Sequence, residues 1–183
     1  LPFITEEDHA YAMTNIMQRV ADALVEEGVP FTGVLYGGLM KTPQGIKVIE
    51  FNARFGDPET EVVLPRLTSD AVDVFMAVAE NEAPVVEWSK GATLGIVMAS
   101  KGYPGDYQKG FAIRGTESVD AKIYHMGTAM KDGELVTAGG RVMIVVASAP
   151  TLEAAQQNAR QEIAKIECDN LFYRSDIGNK AFK

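Results

Sequence analysis

The chain has 183 residues, 46% hydrophobic and 23% charged, and a formal net charge of -8 at pH 7. This is the composition of an ordinary globular protein, long enough to bury a core in one domain or two small ones. The acidic balance argues against a nucleic-acid or anionic-lipid surface, so any polyanionic ligand needs a local cationic pocket.

Thr5 to Gly28 reads as a helix: Thr5 and Asp8 have the spacing of a capping box, and Ile16, Val20 and Leu24 recur every four residues. Gly28 is placed to end it in a left-handed turn. Two β-rich runs follow, Phe31 to Met40 and Ile46 to Ala53, joined by Lys41-Thr42-Pro43-Gln44-Gly45, which predicts an antiparallel hairpin. Pro58 to Leu67 and Ser69 to Glu82 look helical, the second capped by Ser69 or Asp70.

Asn81-Glu82-Ala83-Pro84 marks an expected boundary, giving domains of residues 1–84 and 85–183. Beyond it the pattern is β-dominated: Ala92 to Ser100, a Gly/Pro loop from Lys101 to Asp106, then Lys122 to Met130 and Glu134 to Thr137 around the hairpin signal Lys131-Asp132-Gly133. Arg141 to Ala147 is a further strand. Thr151 to Ile166 is a helix with Leu152, Ala155, Ala159 and Ile163 on one face. The expected fold class is α+β.

No apolar run approaches the ~20 residues of a membrane helix, and no signal peptide opens the sequence. The single cysteine, Cys168, forbids an intramolecular disulfide and suits a reducing, cytoplasmic setting. The chain opens on Leu1 rather than Met, the look of a piece cut from something longer.

The chemistry concentrates in VIEFNARFGDPETE, residues 48–61. On a strand, Glu50, Asn52 and Arg54 share one face, with Ile49, Phe51 and Ala53 packed on the other. A carboxylate and an amide oxygen are hard ligands for Mg²⁺, which takes few protein groups beside substrate phosphates. Arg54, about 7 Å along the strand, offers a planar, permanently charged fork to phosphoryl oxygens. A solvated charged strand face looks similar. Asp57 and Glu59, in a constrained turn before a helix starting near Pro58, add two more carboxylates, although caps at a helix start look alike.

GVLYGGLM followed by IKVIEFNARFGDPETE closely resembles the phosphoribosylamine–glycine ligase (glycinamide ribonucleotide synthetase) family of ATP-grasp enzymes. The likeness continues through LGIVMASKGYPGDY, Tyr124-His125-Met126-Gly127-Thr128, Thr137-Ala138-Gly139-Gly140-Arg141-Val142 and Phe172 to Gly178. Glu-x-Asn alone suggests only an ATP-grasp enzyme; RFGDPE after it points to this ligase.

The resemblance implies the carboxyl half of an ATP-grasp catalytic domain, a mixed or antiparallel sheet with helices, followed by a small β-rich C-terminal domain. It implies purine biosynthesis, in which ATP phosphorylates glycine and the amine of 5-phosphoribosylamine attacks the acyl phosphate. Glu50 and Asn52 match the ligands of Mg²⁺ (or Mn²⁺), and Arg54 matches the arginine near the transferred phosphoryl group. Asp57 and Glu59 are candidates for the small-substrate side, where a carboxylate could pair with glycine's ammonium.

Gly139-Gly140-Arg141 is a candidate for the phosphate of phosphoribosylamine, against the alternative of a strand-entry turn with a surface Arg141. Leu39 matches an adenine contact, against a plain core role. After Asp176-Ile177-Gly178, Asn179-Lys180 departs from the family pattern. His9 and His125 lack ligand spacing, and Trp88 and the scattered Met residues read as packing.

An ATP-grasp site lies between two lobes, and the nucleotide-binding lysine, hinge and glycine-rich loop belong to preceding sequence. The missing N-terminal part of the same enzyme is therefore an expected partner, and the 183 residues alone are expected to be inactive. Removing that part should leave apolar surface open on the first helix and hairpin. The competing expectations are another ATP-grasp ligase or carboxylase, and a catalytically silent binding module that keeps the strand as scaffold.

Overall fold

The computed structural model describes residues 3–182; Leu1, where the sequence suggests an earlier cut, lies outside them. In chain order the elements are α1 (Glu6–Ala12), a π-helical turn (Met13–Met17), α2 (Gln18–Glu26), β1 (Tyr36–Thr42), β2 (Gly45–Asn52), α3 (Thr60–Val63) and α4 (Ala71–Ala79). There follow β3 (Ala92–Ser100), β4 (Lys122–His125), β5 (Thr128–Lys131), β6 (Glu134–Thr137), β7 (Arg141–Ala149), α5 (Leu152–Ile163) and β8 (Leu171–Phe172).

The chain forms two compact units, Leu1–Asp57 with Leu67–Trp88, and Pro58–Arg66 with Ser89–Lys183. The expected boundary at residue 84 falls within the Leu67–Trp88 stretch of the first unit. The stretch 58–66 joins the second unit because it packs on that unit's sheet: a Cβ on Gly95 of β3 would lie 2.9 Å from Cγ1 of Val62 in α3. Only a side chain as small as glycine's lets the short helix come that close.

In the first unit the opening helix starts as its sequence dictates. Thr5 accepts from the Asp8 amide while the Asp8 carboxylate accepts from the Thr5 backbone, satisfying two orphan donors. It ends at Gly28, φ +74°, with Gly28 N–H donating to Val25 and Val29 N–H to Leu24, a Schellman pattern. Asp70 caps α4 by accepting from Val72 and Asp73, and Asn81, φ 60°, closes it in the same left-handed way.

β1 and β2 pair antiparallel, turning at Pro43-Gln44, with Gly45 at φ +94°. The first strand starts at Tyr36, later than the expected Phe31. Gly38 pairs with Glu50 and Leu39 with Val48, so Ile49 is an extra, bulged residue. The bulge resets the alternation: Val48 and Phe51, three apart, line the same groove of about 480 Å³ against Ile16, Val20 and Leu24. The expectation that Ile49, Phe51 and Ala53 pack together on a buried face is therefore corrected. All three are exposed, Ile49 by 63%. The open groove is the apolar surface expected on the helix and hairpin.

The second unit holds a four-stranded antiparallel sheet, order β4-β7-β3-β8, and the β5-β6 hairpin, whose tip Asp132-Gly133 takes positive φ at both residues. α5 lies across one face. Its Ala155, Ala159 and Ile163 are buried with Leu94, Ile96 and Met98 of β3 and Met143 and Val145 of β7. Thr151 caps α5 as the sequence suggests. The expected strand 122–130 is split into β4 and β5, and β8 is too short to announce itself. Met98 and Met143 are core residues, as expected for packing, whereas Trp88 is half exposed and Met13, Met40, Met76 and Met130 are exposed.

Candidate functional site

β2 carries the densest chemistry. The Asn52 amide donates to Glu50 Oε1 at 3.0 Å, so these two side chains share a face as their spacing requires. Gly38 sits opposite Glu50 on the neighbouring strand, and a Cβ there would lie 3.0 Å from Glu50 Cγ. The missing side chain leaves Glu50 room on that face. On the other face Gly37 admits the helix: a Cβ there would come within 2.6 Å of Met17 Sδ.

Arg54 stands apart from the expected three-residue row. β2 ends at Asn52, and Arg54 Nη1 turns to the Phe55 carbonyl at 2.8 Å. Leu39 alternates with Gly38 and shares Gly37's helix-facing side, so it is not on the face of Glu50. By the same alternation exposed Met40 is on the Glu50 face, a residue that reasoning without the register of β1 could not single out. Asp57 is exposed in the turn that follows.

Glu59 and Arg141 belong to the second unit. Glu59 occupies the N-cap of α3, but its side chain makes no cap bond; its carbonyl accepts from Val62 and Val63. Capping by its carboxylate is thus no explanation for it. Glu61, next on α3, has Oε2 buried with no hydrogen-bond partner among the described residues. Burial, with the nearby Glu61 charge second, pushes the Tyr124 phenol above its ordinary value and keeps it protonated.

Arg141 opens β7 behind Gly139-Gly140. Ser100, fully buried, donates its hydroxyl to Gly139 O and its N–H to Gly140 O, both at 2.8 Å. The tail is anchored too. Gln156 donates to Ile177 O and to Asn179 Oδ1, and Arg160 to Ser175 O, which gives Asn179 a place in the packing. His9 and His125 are in separate units. Among the described residues no group of three or more His, Cys, Asp or Glu side chains could hold a metal unaided.

The Glu50–Asn52 pair supplies two hard oxygen donors on an open strand face. That fits Mg²⁺, which completes its octahedron with water and phosphate oxygens, and does not fit zinc, which prefers a closed set of nitrogen and sulfur ligands.

Residues 1–60 match the family model described as phosphoribosylglycinamide synthetase, ATP-grasp (A) domain, and residues 93–180 match the phosphoribosylglycinamide synthetase C domain. The phosphoribosylamine–glycine ligase of Halalkalibacterium halodurans is 49% identical over 99% of this chain and 43% of its own length. The trifunctional purine biosynthetic protein adenosine-3 of Bos taurus is 46% identical over 91% of this chain and 17% of its own. The chain thus spans less than half the length of the curated relatives it matches.

Among solved structures, phosphoribosylamine–glycine ligase from Thermotoga maritima superposes with a TM-score of 0.85 at 31% identity, over 97% of this chain and 45% of that one. A biotin carboxylase domain from Hydrogenobacter thermophilus shares the fold, with a TM-score of 0.58 at 17% identity. No helix of the described residues is long and apolar enough to cross a membrane.

Proposed function

The chain belongs to the phosphoribosylglycinamide synthetase family, with an ATP-grasp part followed by a C domain, and we propose that in the full-length protein it serves the ATP-dependent joining of glycine to 5-phosphoribosylamine. The product is glycinamide ribonucleotide, with ADP and phosphate. The observation that carries this reading is the hydrogen-bonded Glu50–Asn52 pair on the open face of β2, in a sequence matched by that family's ATP-grasp model.

Glu50 and Asn52 would hold Mg²⁺ or Mn²⁺; when bound, such a cation neutralises phosphate charge and orients the nucleotide. Activating a carboxylate with ATP brings two anions together, so charge neutralisation and alignment are what the protein must provide. Arg54 needs only to release the Phe55 carbonyl to offer its fork to the migrating phosphoryl group. Asp57 and Glu59 are carboxylates able to pair with the glycine ammonium, and Arg141 is a cation for the phosphate of phosphoribosylamine. Leu39, half-buried on β1, is the candidate for an adenine contact. The remaining part of the nucleotide site belongs to the rest of the polypeptide.

The test is to assay the full-length protein with Mg²⁺-ATP, phosphoribosylamine and either glycine or bicarbonate. Glycine-dependent formation of glycinamide ribonucleotide is expected. Consumption of bicarbonate instead would make it a carboxylase, and no binding of Mg²⁺-ATP would make it a silent module.

A further inference from the structure

We infer that Gly95 of β3 is a positioning residue for glycine: it seats α3 against the sheet and thereby holds the Glu59 carboxylate in place. This rests on the reading above that Glu59 can pair with the glycine ammonium, and it adds what fixes that group.

β3 reads Leu94-Gly95-Ile96-Val97-Met98, and a glycine in such a run weakens the strand, since it is floppy when unfolded and has no side chain to pack. The reason for it lies on the sheet face opposite α5. Cross-strand pairs set Gly95 beside Val146, Val97 beside Ile144, and Ile144 beside Tyr124 of β4, so these residues share that face. α3 packs on it. A Cβ on Gly95 would meet Ile144 Cδ1 at 2.6 Å and Val62 Cγ1 at 2.9 Å. Ile144 can turn its Cδ1 aside by a rotamer change. Val62 is β-branched and stiff at χ1, so an added methyl group pushes on the helix itself.

Thr60–Val63 is a single helical turn, far too short to persist without a surface to pack on. The turn that follows it is tied to Ser89, whose N–H donates to Arg66 O and whose carbonyl accepts from Arg66 Nη2, both at 2.7 Å. The helical turn itself meets the sheet through Val62. Glu59 belongs to that turn: its backbone is helical, φ -71° and ψ -36°, and its carbonyl accepts from Val62 at 3.1 Å and Val63 at 3.0 Å. A shift of Val62 therefore carries Glu59 with it.

A second observation points the same way. Glu61 Oε2 is buried with no hydrogen-bond partner among the described residues. Burying a carboxylate oxygen without a donor opposes the docking of α3. The helix stays on the sheet because the glycine lets Val62 come close enough to outweigh that cost, and such a compromise is characteristic of a place where position matters.

The test measures steady-state kinetics of the full-length protein and its variants. Gly95→Ala should raise the KM for glycine roughly 10- to 100-fold, the range for a binding group displaced by about 1 Å, while the KM values for ATP and phosphoribosylamine stay within about twofold. Val62→Ala in the same protein should restore most of the loss, because it removes the Cγ1 that the new methyl group meets. Val62→Ile enlarges the contact from the helix side; it should also raise the glycine KM, and it stands in if Gly95→Ala does not fold. Glu59→Gln combined with Gly95→Ala should lose no more than Glu59→Gln alone. A wild-type glycine KM in Gly95→Ala and Val62→Ile overturns the inference and leaves the ligase reading standing, as does a Gly95→Ala effect that adds in full to that of Glu59→Gln. A wild type that makes no glycinamide ribonucleotide overturns the ligase reading and the inference with it.

Discussion

Asn52 and Glu50, two residues apart on β2, are joined side chain to side chain at 3.0 Å, with Gly38 across from Glu50 on β1. The amide thus orients the carboxylate, and the glycine keeps the space above it open. Gly38→Val would crowd Glu50 Cγ, already 3.0 Å from where a Cβ would stand. In the full-length protein we expect the Mg²⁺ concentration for half-maximal activity to rise roughly 10- to 100-fold, as for lost support of a metal ligand, with the KM for glycine little changed. An unchanged metal requirement would remove Gly38 from the site.

Asp57 is exposed in the turn after β2 and is proposed to face the glycine ammonium. Asp57→Asn keeps the size and removes the charge. The expected result is a glycine KM raised about tenfold or more, with the KM for ATP within about twofold. Wild-type values for glycine KM and kcat would leave Asp57 a turn residue only.

Lys41 donates to the Asp8 carboxylate at 2.5 Å, and with the Thr5 backbone it holds that group at a pKa of about 2, below its ordinary 3.8. A carboxyl lowered by folding stabilises the fold fully above its ordinary value and loses that contribution as pH falls from about 4 through about 2. The thermal midpoint of Asp8→Asn should therefore lie below that of the wild type at pH 6, and the gap should narrow from pH 4 downward and close only below pH 2. A gap as wide at pH 2 as at pH 6 would show that the carboxylate charge is not what matters.

Much of the fold was legible because it follows from local rules. Thr5 with Asp8, Gly28 after Leu24, Asp70 before α4 and Asp132-Gly133 between β5 and β6 each fix backbone geometry within a few residues. The α5 face of Ala155, Ala159 and Ile163 follows from helical period alone. What was not legible depends on partners distant in sequence. The bulge at Ile49 is set by β1 and cannot be seen in β2 itself. The same holds for the transfer of 58–66 to the second unit, which depends on Gly95 of a strand thirty or so residues later. Within the site, Glu50 and Asn52 came together as their spacing required, whereas Arg54 fell beyond the strand end, where period-two reasoning no longer applies.

The contact between Gly140 and Tyr103 has a stability consequence. Gly140→Ala would place a methyl group 2.2 Å from Tyr103 Cδ2 and force the ring out, at a cost of about 1–3 kcal/mol for overpacking. Adding Tyr103→Ala should recover most of that loss, which a double-mutant cycle on urea midpoints would read as strong coupling. Additive effects would mean that the ring and the glycine act separately.

The Glu50–Asn52 face as the metal and nucleotide end of a glycine-activating site is tested most directly by Glu50→Gln in the full-length protein. The variant keeps the shape and removes one negative oxygen. Glycinamide ribonucleotide formation at saturating Mg²⁺-ATP should fall at least about 100-fold with the thermal midpoint held. Turnover equal to the wild type at the same Mg²⁺ concentration would contradict the assignment.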